Sequence, residues 1–287
     1  MTRVRPPFAY YGGKARLAGW IVAHFPPHDV FVDLFGGAAN VILNKPPAKL
    51  DVYNDIDGDL VNFFRVLRER PDDLIRAIEL TPYSRAEFEQ ARTGLGDTEL
   101  ERARRFYVLM KMSSYPGRVE RCAWRSRLNG ESAGEANRQH FVKDWLATRH
   151  LYGIASRLRE CAIDQRPALD AVANYDDPET LFYADPPYLE GTRGSNGNGR
   201  GYTHEFAGAD DHTHLAAALR DIDGMAVISG YPSALYDGLY AGWQCVTTTA
   251  RDSTTAARTE CLWLSPRVTE RLAHAGLQLS LFAGGEA

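Results

Sequence analysis

"DVFVDLFGG" (residues 29–37) decides how the rest of the chain is read. β-branched and aromatic residues run into an acid, a second aromatic and a glycine pair, the pattern of a buried strand that stops at a tight turn. The chain is then expected to enter a short helix. Glycines at such a junction let a ligand approach the backbone, and a helix start favours an anionic group. "KLDVYNDID" (49–57) reads as a second strand ending in acids. Asp55 lies 19 residues beyond Gly36, and an acid at that distance takes ribose hydroxyls in doubly wound folds. The rival reading of Asp55 is a turn acid, since "NDIDGD" is rich in turn formers.

Working outward, residues 57–78 carry helical periodicity broken at Pro71, and "SRAEFEQAR" (84–92) opens with a serine cap and Glu87 three positions on. Residues 97–115 read as a long helix, and 116–140 as polar, basic and irregular. After a helix at 148–160 come a short strand at "CAID", a strand at "TLFYAD" (180–185), a helix at 210–222, a strand at "MAVISG" (225–230), a helix at 232–240 and a terminal strand pair. Strands and helices alternating on both sides of a helical, basic middle imply an α/β sheet with an insertion. No internal repeat is visible.

The chain has 287 residues, 44% apolar and 24% charged, with a net charge of −4. This is an ordinary globular composition, and the negative balance argues against a protein that coats nucleic acid indiscriminately. No apolar run is long enough for a membrane span, and "MTRVRPPFAYYGGK" has no signal-peptide core. The cysteines Cys122, Cys161, Cys245 and Cys261 are scattered without CxxC spacing, so neither zinc nor a disulfide framework is expected and a reduced cytosolic setting fits. The charge is uneven: residues 102–127 hold eight Lys or Arg against one acid, Glu120. Such a stripe is either a local polyanion contact or a solvated helix face.

"LFYADPPYLEG" (181–191) ends a strand on two prolines, which donate no backbone hydrogen bond and fix the corner. An acid with proline carbonyls beside it offers several acceptors on one small surface. That suits a planar –NH₂ group, and an aromatic one step further can stack on a base. Residues 191–203, with five glycines and no aliphatic side chain, read as a mobile loop leaving that corner. In "FAYYGGKARL" (8–17), Lys14 after a glycine pair suits a carboxylate or a phosphate, although the spacing is too short for a P-loop. His204, His212 and His214 read as helix-surface or capping residues rather than metal ligands.

These stretches together resemble the amino-directed DNA methyltransferases of the DNA adenine methylase type. "AYYGGK" is similar to that family's N-terminal cofactor motif, "VDLFGGAANV" to its glycine loop, "YNDIDGDLVNFF" to its acidic segment and "FYADPPY" to its catalytic motif, in the family's order. The resemblance implies a doubly wound, Rossmann-like methyltransferase sheet over residues 1–75 and 150–287, with an inserted, mainly helical target-recognition domain at 76–149. It implies methyl transfer from S-adenosylmethionine to the N6 amino group of adenine in double-stranded DNA, with base flipping and no metal. Tyr10, Lys14, Phe35, Gly36 and Asp55 would then bind the cofactor, and Asp185 would stand between cofactor and base. Asp185 and the Pro186 carbonyl would accept from the amino group, and Tyr188 would stack on the flipped ring.

The base-reading region departs from the best-known members, so no recognition sequence follows. In its place, Arg118, Arg121, Trp124, Arg125 and Arg127 are the candidate DNA contacts, with Trp124 or Tyr115 able to wedge into the base stack. Gln278–Phe282 ("QLSLF") resembles a bacterial sliding-clamp binding peptide. A restriction endonuclease partner and a bacterial or phage enzyme acting in the cytoplasm, at the nucleoid, complete the expectation. The rivals are the same chemistry on cytosine N4 and a catalytically silent DNA-binding or clamp-associated module.

Overall fold

The computed structural model describes residues 4–10, 12–94, 96–114, 123–125, 140–187, 206, 208–251 and 257–276. Seven strands, β1 (Val30–Asp33), β2 (Leu50–Asn54), β3 (Cys161–Asp164), β4 (Thr180–Ala184), β5 (Met225–Gly230), β6 (Gln244–Arg251) and β7 (Ala257–Leu264), form one sheet in the order β3-β2-β1-β4-β5-β7-β6. The first five positions are parallel, and β7 runs antiparallel to both β5 and β6. β4 and β5 are buried at every residue, as their near-continuous apolar runs require when helices cover both faces.

The pleat divides the core in two. Phe31, Tyr53, Leu181, Tyr183 and Val227 point into one apolar cluster, while Val32, Val52, Phe182, Ala184 and Ile228 point into the other. On the first side pack α1 (Ala18–Val22), α2 (Gly58–Glu69), α3 (Pro71–Leu80), α4 (Arg85–Thr93), α5 (Glu99–Met112), α6 (His140–Leu146) and α7 (His150–Leu158). The second side carries α8 (Ala168–Tyr175), α9 (Ala209–Asp221) and α10 (Ala234–Leu239). The terminal α11 (Pro266–His274) returns Val268 and Leu272 to the first cluster.

Local chemistry explains most boundaries. Asp57 caps α2 by accepting from the backbone N–H groups of Asp59 and Leu60, and Pro71 begins α3, where its missing N–H costs nothing. Ser84 accepts from Glu87 N at the start of α4. The chain segment between β2 and β3 is bound to the sheet by aromatic packing: the Phe64 ring lies 4.9 Å from the ring of Tyr53 on β2, and the Phe63 and Tyr107 rings stack with centroids 5.8 Å apart. Leu74, Phe88, Phe106 and Trp145 belong to the same cluster as Phe31. Position 75, the boundary drawn from sequence, falls inside α3.

One expectation is corrected. The glycines after β1 are followed by a series of turns and not by a helix. Gly37 and Ala39 both take positive φ, 49° and 58°, which a right-handed helix excludes. Side chains from β2's end hold the turn instead, since Gly37 N donates to Asp55 Oδ2 at 2.9 Å and Tyr53 Oη donates to Gly37 O at 2.8 Å. An anion therefore has no helix start to address at this loop.

Candidate active site

In an open α/β sheet the ligand crevice lies beyond the carboxyl ends of the strands where the strand order reverses. Here the reversal falls between β1 and β4, whose ends are in register at Asp33 and Tyr183. Beyond them opens a cavity of about 340 Å³, within the range of small-molecule sites. Tyr10, Lys14, Phe35, Gly36, Asp55 and Asp185 all line it. Six residues picked out of separate motifs are thus brought to one wall-lined space, although no two motifs are neighbours in sequence.

Gly36 has a specific reason to be glycine. A Cβ there would come within 2.2 Å of the Tyr53 ring. The residue is demanded by packing from below, and the loop lies flat on β2 because of it. Asp55 is fixed in turn by its backbone partners: Oδ2 accepts from Gly37 N and Oδ1 from Asp57 N, both at 2.9 Å. Its carboxylate stands on the cavity wall.

Asp185, one residue past β4, is mostly buried, with its side chain 15% exposed. Its Oδ1 lies 2.9 Å from Lys14 Nζ, and the Ser229 hydroxyl also donates to the carboxylate. Burial raises the Asp185 pKa above the ordinary carboxylate value, against the pull of Lys14 and Ser229. Burial alone would lower Lys14, but the charges of Asp185 and then Glu260 outweigh it and hold the ammonium above its ordinary pKa. Lys14 thus meets a carboxylate, as its motif suggested, but one of the protein's own.

Several lining residues carried no sequence signal. Asp33 is buried with Oδ1 unpartnered among the described residues, and burial, then Asp185 and Asp55, push its pKa well up. Ile56, Pro167, Leu169 and Phe206 supply apolar wall, with Phe206 edge-on to Phe35 at 5.4 Å. Asp33 stands in the quoted motif and was legible as a strand end only; that its Oδ1 goes unpartnered while the backbone of Ile42 donates to the carboxylate depends on the whole neighbourhood.

The basic stripe resolves differently from its polyanion reading over its helical half. Arg102 pairs with Asp59, Arg104 with Glu87 and Glu101, Arg105 with Glu101, and Lys111 with Asp144. These acids come from α2, α4, α5 and α6, so this half of the stripe is neutralised inside the protein. Trp124 is half-buried against Tyr83 and lies under the Arg85 guanidinium at 4.8 Å. The Arg125 guanidinium sits 4.2 Å over Phe141. Tyr115, Arg118, Arg121, Arg127, Tyr188, the 191–203 loop, His204 and Gln278–Phe282 lie outside the described residues. His212 is no surface residue: it is buried, with Nδ1 2.9 Å from Tyr236 Oη. His214 is exposed on the same helix. Among the described residues no cluster of three metal-ligating side chains occurs, and no helix is long and apolar enough to cross a membrane.

A nucleotide-sized crevice at the switch point, with an Asp-Pro-Pro corner on its wall, defines a methyltransferase-type site. The family model for D12 class N6 adenine-specific DNA methyltransferases matches residues 10–244, and the chain belongs to that family. It is similar to the DNA adenine methylase of Serratia marcescens, at 27% identity over 235 residues, covering 76% of this chain and 80% of that protein. It is also similar to the Type II methyltransferase M1.LlaDCHI of Lactococcus lactis subsp. cremoris, at 24% over 251 residues, 83% of this chain and 84% of that one. Modification methylase LlaI of Lactococcus lactis subsp. lactis is 27% identical over 226 residues, 76% of this chain but only 35% of that longer protein. The protein is an enzyme that methylates the N6 amino group of adenine in DNA. Membership implies S-adenosylmethionine as donor and a flipped target base. The family is the adenine-N6 one and not the cytosine-N4 one.

Proposed function

We propose that the cavity holds S-adenosylmethionine and that the corner at Asp185 presents the adenine amino group to it. One observation carries this reading: Asp185 stands on the wall of the same cavity as Asp55 and Phe35, where the strand order reverses. The residues fit the donor's chemistry, a nucleoside with a sulfonium and an amino group. Asp33, with its unpartnered buried oxygen, suits the ammonium. Asp55 on the same wall is the carboxylate for the ribose hydroxyls, and Phe35, Ile56, Pro167 and Leu169 offer apolar surface to the purine. Tyr10 and Gly36 complete the wall, and Lys14 acts through Asp185. When bound, S-adenosylmethionine supplies a methyl group already activated on sulfur.

Asp185 and the Pro186 carbonyl accept the two N–H bonds of the amino group. Its lone pair is delocalised into the purine, so acceptors on both hydrogens draw the nitrogen toward tetrahedral geometry and stabilise its growing positive charge. The raised pKa of Asp185 also suits it to take the proton that the methylated amine releases. Tyr188 stacks on the extruded ring, and residues 191–203 order over the bound nucleotide. No metal ion enters this scheme.

Residues 76–149 supply target recognition within a catalytic body formed by 1–75 and 150–287, with Arg118, Arg121, Trp124, Arg125 and Arg127 as DNA contacts. The support is the basic composition of 113–127 beyond the ion-paired helix. Gln278–Phe282 engages a sliding clamp, which clamp binding surviving Leu281→Ala with Phe282→Ala would refute. The modification methylases among the relatives support a restriction endonuclease partner in a bacterial or phage-infected cytoplasm.

The decisive experiment is methylation-sensitive long-read sequencing of DNA from cells expressing the chain, beside a calorimetric titration with S-adenosylmethionine. N6-methyladenine in a fixed motif and saturable binding are expected. A mark on cytosine, or none despite tight binding, overturns the reading.

A further inference from the structure

Glu260 lies in mid-strand on β7, and nothing in "TECLWLS" marks it as functional. Its neighbour Cys261 pairs with Gly230 of β5 in the antiparallel register, which brings Glu260 beside Tyr231, the first residue past β5. It is only 6% exposed, and glutamate is seldom so buried without a partner. Its partners are the Tyr231 hydroxyl, which donates to it, and Lys14, whose Nζ lies 3.6 Å from Oε2. Lys14 therefore stands between two buried carboxylates, 2.9 Å from Asp185 and 3.6 Å from Glu260. One carboxylate would balance the ammonium, and a second adds an uncompensated buried charge. Charge balance alone gives no reason for Glu260.

We infer that Glu260 is a positioning residue for methyl transfer: with Tyr231 it holds Lys14 between two anions, so that the ammonium orients Asp185 without quenching it as a hydrogen-bond acceptor. A lysine shared with Glu260 leaves more negative charge on Asp185 than a lysine of its own would leave. The inference rests on Asp185 being the acceptor for the adenine amino group. Among the described residues, the groups that face Asp185 are Lys14, Asp33 on β1, Tyr183 on β4, Ser229 on β5, Tyr236 on α10 and Glu260. Apart from Asp185 itself, Glu260 is the group among these that both carries negative charge and contacts Lys14.

The test is single-turnover methylation of unmethylated plasmid DNA by the full chain, with rates followed from pH 5 to 9. Glu260→Gln keeps the shape and the Tyr231 contact but removes the charge. Its transfer rate is expected to fall about tenfold or more while S-adenosylmethionine affinity is unchanged. The acid limb of the rate profile moves to lower pH, because Lys14 then serves Asp185 alone. Glu260→Asp, which keeps the charge, restores the acid limb. Tyr231→Phe shifts rate and limb in the same direction by less, and it decides the matter if Glu260→Gln does not fold. A folded variant with wild-type rate and wild-type acid limb overturns the inference. Asp185→Ala runs beside them: methylation by that variant means the reading of the corner is wrong. An inactive Asp185→Ala beside a wild-type-like Glu260→Gln means that only the role of Glu260 is wrong.

Discussion

Two charge-rich regions of this protein are built on opposite terms. Around α5, nearly every charge is matched: Arg104 reaches Glu87 and Glu101, Arg105 shares Glu101, and Arg102 takes Asp59. At the carboxyl ends of β1, β2 and β4, Asp33, Asp55 and Asp185 crowd one cavity wall, and Lys14 pairs with Asp185. The pKa directions follow. Hydrogen bonds from Arg104, against a smaller burial penalty, draw Glu101 down to about 2, whereas burial lifts Asp33 and Asp185. Charges that serve the fold are satisfied within it. At the cavity wall Asp33 keeps a buried oxygen unpartnered among the described residues, a cost in stability that the positive groups of the proposed donor would offset.

The sharpest way to break that contrast is Asp185→Ala. The variant is expected to lose about 10²- to 10³-fold or more in methyl transfer with an unchanged circular dichroism spectrum. Substantial turnover by a folded variant would place the reaction elsewhere. Next comes Asp55→Asn, which gives up the charge toward the ribose and one of the two acceptors that hold the Gly37 and Asp57 backbone. Affinity for S-adenosylmethionine should drop about 10- to 100-fold, the worth of a charge-assisted hydrogen bond, as calorimetry would register.

Asp33→Asn sharpens the contrast in stability. A carboxyl whose folded pKa is raised stabilises the fold below its unfolded pKa and loses that contribution as pH rises through the folded value. The cofactor-free Asn variant should therefore melt higher than wild type at pH 8, by about 2–4 °C per kcal/mol recovered, and the gap should shrink at pH 4. It should also bind the donor more weakly. A lower melting temperature at pH 8 would mean that Asp33 is structurally satisfied. The smallest effect belongs to Glu101→Gln. A depressed carboxyl pKa stabilises above the unfolded value and is lost as pH falls through the folded one. The variant should therefore be less stable by about 0.5–1 kcal/mol, the worth of a partly exposed network. The difference should fade between pH 4.5 and about 2 in acid-unfolding curves.

Much of the site could be read along the chain because its parts sit in local patterns. A glycine pair after an apolar strand, an acid at the next strand end and an Asp-Pro-Pro corner are each short-range signals. Tyr10, Lys14, Phe35, Gly36, Asp55 and Asp185 do converge on one cavity. Expectations failed where the outcome hung on distant neighbours. The helix after Gly37 gave way to turns because Asp55 and Tyr53 claim that loop's backbone. The helical half of the basic stripe, Arg102 to Lys111, is paired with acids as far off as Asp59 and Asp144. His212 turned inward to Tyr236.

The sequence by itself determined the alternation of strands and helices, the caps at Asp57 and Ser84, the break at Pro71 and the acids at the strand ends. Dihedral preferences and nearest-neighbour hydrogen bonds act over a few residues, and such features obey them. Tertiary structure alone decided which charges meet. Lys14 finds Asp185 and Glu260 across 171 and 246 positions of chain. Whether a carboxylate is paired, buried or left for a ligand depends on its surroundings in space, and the order of residues encodes those surroundings only through the completed fold.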